Sequence, residues 1–187
     1  LGMVTVAAGY FIGSPGKPNV VVLLATMIGV SLVAAGTSAF NQYIERDKDA
    51  RMERTRNRPL PSGRMTPPHA FAFGVVTSIM GLAIVLLGVN VLAAAMTGLT
   101  SAIYVLIYTP LKTRTTLNTL VGAVPGALPP MIGWVAATGG INLHAFVLFA
   151  ILYVWQLPHF WSIAWLYRED YKEGGMRMLS VEDSDGG

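Results

Sequence analysis

Three polar residues near the end of a long apolar run are spaced four apart: Asn41, Glu45 and Asp49. On a helix this spacing stacks them on one stripe, each about 6 Å from the next. Two carboxylates one turn apart repel by a few tenths of a kcal/mol in water, and by more beside hydrocarbon. A divalent cation offsets that repulsion. Hard oxygen ligands suit Mg²⁺, which keeps several waters and shares its shell with substrate phosphates. The stripe therefore reads as a metal–diphosphate site. The alternative is a solvated helix end neutralised by Arg46, Lys48 and Arg51. Asp47 lies off the stripe and reads as a surface acid or a supporting residue behind the ligands. Arg51, Arg54, Arg56, Arg58 and Arg64 follow at once. Arginine grips phosphate bidentately, although basic residues beside an apolar helix also mark the cytoplasmic face or meet anionic lipid.

These residues must be carried by helices in a bilayer. Of 187 residues, 53% are hydrophobic and 12% charged, against about 25% charged in an ordinary soluble domain. There is no cysteine, so a disulfide scaffold is excluded, and the apolar content excludes disorder. A net charge of +3 without a continuous basic face argues against nucleic acid as a partner. Asp, Glu, Lys and Arg are absent from Met65 to Leu111 and again from Thr115 to Tyr167. Each stretch is long enough for two crossings of about 20 residues.

Punctuation divides the runs. Leu1–Ile12 is a partial span, ended by Gly13-Ser14-Pro15-Gly16. Asn19–Ile44 spans. Pro67-Pro68 opens a helix to about Gly88, and Val91–Tyr108 returns, with Thr109-Pro110 expected to stop it. Thr116–Thr138 contains Pro125, Pro129 and Pro130, so a kink or break near Pro125 is expected. Leu143–Tyr167 contains Pro158. The reading is an all-α, polytopic transmembrane helical bundle with five full spans and one partial span. Alternation puts Glu45–Arg64, Lys112–Arg114 and everything after Tyr167 on one face. That face holds 12 of the 13 Lys and Arg, leaving Lys17 opposite. The positive-inside rule makes the charged face cytoplasmic. Without an initiator Met, and with an open end at Asp183–Gly187, the chain reads as a piece of a longer protein.

Several blocks resemble one family. Asn41–Leu60, NQYIERDKDARMERTRNRPL, is similar to the first acidic motif of the UbiA superfamily of intramembrane prenyltransferases, Asn-x3-Asp-x3-Asp, with Glu45 at the middle acid. Met52, Arg54, Thr55, Arg58, Pro59 and Leu60 carry the signature that follows it. Tyr108-Thr109-Pro110-Leu111-Lys112 resembles the superfamily's tyrosine–proline–lysine loop. Asn118 and Gly126–Trp134 resemble its proline-rich span. Trp155-Gln156-Leu157-Pro158-His159-Phe160-Trp161 resembles the block that separates haem O synthases from quinone-type relatives. Asp170-Tyr171, Gly175 and Met178-Leu179 resemble the second acidic region, with Arg177-Met178-Leu179-Ser180 where that family has Pro-Met-Leu-Pro.

The resemblance to haem O synthases (protohaem IX farnesyltransferases) implies a single UbiA-type membrane domain over residues 1–187. It would be incomplete at both ends, since such proteins have about nine helices. It implies transfer of a farnesyl group from farnesyl diphosphate to a vinyl group of protohaem IX, with water added and diphosphate released. Mg²⁺ would be the cofactor, with Asn41, Glu45, Asp49 and Asp170 as ligands and catalytic groups. Arg54, Arg58, Lys112 and Arg114 would hold the diphosphate. Haem would be substrate, the bilayer a partner, and a haem-modifying enzyme or oxidase assembly factor a downstream partner. The expected location is a bacterial inner membrane.

An allylic cation needs an apolar pocket with electron-rich faces. Tyr43, Tyr104 and Tyr108 can each offer a cation–π contact of about 0.5–2 kcal/mol, Tyr104 reading first as a belt residue at the interface. His159, inside an apolar helix beside Pro158, is a functional candidate for the haem iron, a propionate or the diphosphate. The alternative is a packing histidine bonded to a carbonyl freed by Pro158. Trp161 can stack on a porphyrin, or line the wall with Trp155 and Trp165. His69 and His144 read as structural. Two other functions stay open at this point. One is a UbiA enzyme with an aromatic acceptor of the quinone or chlorophyll type, and the other is a transporter with broken helices.

Overall fold

The computed structural model describes residues 2–182, so Asp183–Gly187, the end of the last charged stretch, lies outside the described residues. The order is α1 (Gly2–Gly13), α2 (Val20–Asp49), α3 (Pro67–Gly88), α4 (Val91–Leu111), α5 (Asn118–Thr138), α6 (Leu143–Leu166), α7 (Arg168–Glu173) and α8 (Leu179–Glu182). Five of these, α2 to α6, are long and apolar enough to cross a membrane, and α1 is the short apolar helix expected from the sequence.

Asparagine sets the turns at the sparsely charged end. Asn19, Asn90 and Asn142 cap α2, α4 and α6, each accepting backbone N–H bonds of the first turn through its side-chain oxygen. Two boundaries differ from the sequence expectation. The helix α4 does not stop at Thr109-Pro110. It widens into a π-helical segment, Ile103–Tyr108, and continues to Leu111. Thr109 donates its N–H to Tyr104 O, one residue further back than an α-helix allows. The widened turn comes just before Pro110, whose missing N–H and bulky ring would otherwise interrupt the ladder. The helix α5 runs without a break through Pro125, Pro129 and Pro130. Its neighbours hold it, since 67% of its apolar stretch is buried, against 6% in α6.

The tightest crossing joins α1 to α5. A Cβ on Gly9 would lie 1.9 Å from Pro130 O, and one on Gly133 would lie 2.0 Å from Val6 O. Only glycine lets the backbones come so close, the usual way helices associate in lipid. Val6, Tyr10, Val30, Met131, Ile132 and Val135 belong to the main core. A second, smaller cluster of Met52, Ala164, Met176 and Met178 covers the charged end. Glu45 meets Lys112, Arg54 meets Asp170, and Arg177 meets Lys112, so the three charged segments share one end of the bundle.

Candidate active site

The last two turns of α2 carry the stripe, and all three side chains are buried: Asn41 at 7%, Glu45 at 2% and Asp49 at 1% exposure. Their partners come from distant segments. Lys112 Nζ lies 3.0 Å from Glu45 Oε2, and Arg58 Nη1 lies 2.8 Å from Asp49 Oδ2. Asn41 Nδ2 donates to Glu45 Oε2 at 2.7 Å and to Thr109 Oγ1 at 3.2 Å. Thr55 Oγ1 donates to Asp49 O. Arg46 instead meets the exposed Asp47 at 3.7 Å, and among the described residues no ion pair links Lys48 or Arg51 to the stripe. The helix-end alternative is therefore not the arrangement seen. Burial pushes the pKa of Lys112 below its ordinary value, and the adjacent Glu45 carboxylate opposes that shift.

One oxygen of each acid is left over. Glu45 Oε1 and Asp49 Oδ1 are buried without a hydrogen-bond partner. Both residues line a polar cavity of about 170 Å³, together with Arg54, Arg58, Lys112 and Tyr171. An unpaired buried carboxylate oxygen is costly, and a hard cation is its natural complement. The donor set fits Mg²⁺ in that respect. Among the described residues no group of three or more Asp, Glu, His or Cys gathers. Asp170 stands apart from the stripe, accepting the Arg54 backbone N–H at 3.2 Å and lining a separate recess with Glu53, Trp165 and Arg168.

Below the polar cavity lies an apolar one of about 360 Å³, walled by Val30, Val33, Pro129, Ile132 and Phe160. Tyr104 and Tyr108 line both cavities. Their rings sit 5.2 Å apart, and Lys112 Nζ lies 4.8 Å from the Tyr108 centroid. The π-helical segment and Gly122 make room for this pair. A Cβ on Gly122 would fall 2.4 Å from the Tyr108 ring. The roof is the methionine cluster, with Arg177 pinning the segment behind α7. Its N–H donates to Lys112 O at 2.7 Å, and its carbonyl accepts from Asn118 Nδ2 at 2.8 Å. Ser180 Oγ donates to the buried Ala164 O at 2.7 Å, a bond that a proline in its place could not make.

Not every candidate converges. Tyr43 packs on Phe71 and under Arg46, and it lines neither cavity. Arg114 is exposed, and its carbonyl accepts from Arg177 Nη1. His159 is exposed and stacks on Trp155 at 4.8 Å, while Trp161 is 44% exposed. Two residues apart on a helix, they point about 200° from each other. The sequence marks Tyr104 as a cation–π candidate, read first as a belt residue, and it names Tyr171, Phe160, Met52 and Met178 only within motif blocks, while Met176 is not singled out. For Tyr104 the usable signal was its position four residues before Tyr108.

Residues 2–185 match the UbiA prenyltransferase family. The chain belongs to that family. A protein named protoheme IX farnesyltransferase from Solibacter usitatus is 49% identical over 98% of this chain and 66% of its own length. One of the same name from Sorangium cellulosum is 44% identical over 87% of this chain and 58% of its own length. The chain thus spans about 60% of the length of the curated relatives it matches. A UbiA homologue from Aeropyrum pernix has a similar fold, with a TM-score of 0.81, 19% identity, and coverage of 97% of this chain and 68% of that one. The polar and apolar cavities of this UbiA-family chain meet at Tyr104 and Tyr108. The transporter reading has no comparable support. The chain is an integral membrane protein of a prenyltransferase family.

Proposed function

We propose that this protein transfers a farnesyl group from farnesyl diphosphate to a vinyl group of protohaem IX, giving haem O and diphosphate. The observation that carries the reading is the pair of joined cavities. Arg54, Arg58, Lys112, Glu45 and Asp49 surround a space suited to a polyanion and its metal, and Tyr104 and Tyr108 open it onto an apolar chamber. The relatives' shared name supports the acceptor and the chain length of the donor.

The chemical difficulty is the leaving group. The bond between farnesyl C1 and the diphosphate oxygen breaks, and the oxygen keeps the electron pair. Mg²⁺, held by Glu45 Oε1 and Asp49 Oδ1, would neutralise charge on the departing diphosphate. Asn41 fixes the Glu45 carboxylate by donating to its other oxygen. Lys112, Arg58 and Arg54 add charge-assisted bonds to the phosphate oxygens. The ring faces of Tyr104 and Tyr108 lie where positive charge develops on C1, each worth about 0.5–2 kcal/mol. Closure by Met52, Met176 and Met178 keeps water away from C1. C1 then bonds to the terminal vinyl carbon, water adds to the inner one, and the proton lost from that water passes to the released diphosphate. The open face of α6, with the Trp155–His159 stack, is assigned to the flat acceptor. The charged end is assigned to the cytoplasmic side of a bacterial inner membrane, given its 12 Lys and Arg.

Mass spectrometry of haem from cells expressing the full-length protein tests the reading. Haem O, absent when Asp49→Asn is expressed, is the expected result. A prenylated quinone precursor without haem O would give the function to an aromatic-acceptor enzyme.

A further inference from the structure

The carboxylates of the polar cavity are already matched by bases. Glu45 is held by Lys112 at 3.0 Å and Asp49 by Arg58 at 2.8 Å, while Arg54 lines the same space. Three cationic side chains therefore surround two carboxylates, so the lining of the cavity carries net positive charge. It lies under a roof of Met52, Met176 and Met178, where charges are weakly screened. Each acid has one buried oxygen without a partner, so the acceptors a cation needs are present. The charge around them repels a cation that arrives alone.

We infer that Lys112 and Arg58 are specificity-determining counter-ions: they exclude a bare divalent cation and admit it only together with a diphosphate. Binding exchanges partners. Glu45 and Asp49 would hold the metal through the carboxylate oxygens now without partners, and Lys112 and Arg58 would turn from the carboxylates to the oxygens of the polyanion. Each ligand thereby builds the other's site, and by linkage the gain is the same in either direction. The inference rests on the diphosphate reading above and adds the order in which the site fills. It also gives Lys112 two effects of opposite sign. Lys112 favours the diphosphate and opposes the free metal.

The test uses the full-length protein in nanodiscs, with Mn²⁺ as probe and the free ion counted by electron paramagnetic resonance. Inorganic pyrophosphate is the partner ligand. In the parent protein, Mn²⁺ alone should bind roughly tenfold to a hundredfold more weakly than with pyrophosphate present, the usual span of coupling between two ligands. Lys112→Met should bind Mn²⁺ alone at least about tenfold more tightly than the parent, and pyrophosphate more weakly. Lys112→Arg keeps the charge and should behave as the parent does with Mn²⁺ alone, which separates charge from damage to the fold. Equal Mn²⁺ affinity with and without pyrophosphate would overturn the inference and leave the diphosphate reading standing. So would a Lys112→Met variant that loses Mn²⁺ and pyrophosphate together while Lys112→Arg binds both. Failure of the parent to bind pyrophosphate under any metal condition would overturn both.

Discussion

The polar stripe of α2 and the aromatic strip of α6 are both conspicuous in the sequence, yet the fold treats them oppositely. Asn41, Glu45 and Asp49 become almost inaccessible and draw partners from up to 68 positions away, as with the bond between Asn41 and Thr109. Trp155, His159 and Trp161 stay exposed on α6, the first two on one face and Trp161 on another, and only the Trp155–His159 pair stacks. The difference is energetic. A carboxylate in an apolar helix is expensive until charges and donors meet it, so the fold must converge on it. An aromatic ring is at home against lipid or another helix and obliges nothing to approach. Intramembrane acids therefore localise a site, whereas intramembrane aromatics leave it undetermined.

The largest effect expected is on stability at the α2 stripe. Lys112→Met leaves the buried Glu45 unpaired and should cost about 3–5 kcal/mol. Unfolding in mixed micelles measures it, and the double variant Glu45→Gln/Lys112→Met should recover most of the loss. If the double variant is as unstable as the single one, the ion pair is not what the fold converges on. Next is turnover. Asp49→Asn should lower product formation by about a hundredfold or more, the scale of losing one electrostatic stabiliser. Excess Mg²⁺ should restore part of it. Asp47→Asn, exposed on the opposite side of the helix, should stay within about 0.5 kcal/mol of the parent, a near-neutral change for a surface site. Equal, mild losses for both would erase the contrast between a stripe acid and a surface acid.

A smaller effect belongs to the wall between the cavities. Gly122→Ala puts a methyl group against Tyr108, an overpacking worth about 1–3 kcal/mol. Farnesyl transfer should fall by about tenfold while pyrophosphate release from the product complex is unchanged. Unaltered transfer would show that the Tyr108 position is not tuned by α5. The smallest effect should come from α6. His159→Ala should leave Mn²⁺–pyrophosphate binding within about twofold, as for an exposed position outside the cavity, while raising the KM for haem. A loss of pyrophosphate binding in that variant would join the two regions into one site.

Composition and charge by themselves determined the membrane, the helical class and the number of crossings. An apolar run of about 20 residues has few alternatives in water or lipid. Local spacing also determined that Asn41, Glu45 and Asp49 share a stripe and that Asp47 does not, because the helix fixes those angles. Tertiary structure decided which bases answer the acids. Lys112 and Arg58 do so rather than Arg46, Lys48 and Arg51, because the pairing depends on where α4 and the loop after α2 are brought by packing. It also decided that Tyr104 faces the site. The π-helical segment before Pro110 rotates the end of α4, and such a bulge leaves no periodicity in the sequence to read. Asp170, His159 and Trp161 sit in motif-like blocks just as Glu45 does. Their separation from the polar cavity follows from the directions in which α6 and the segments after it leave the bundle, a property of how helices pack and not of any one helix's pattern.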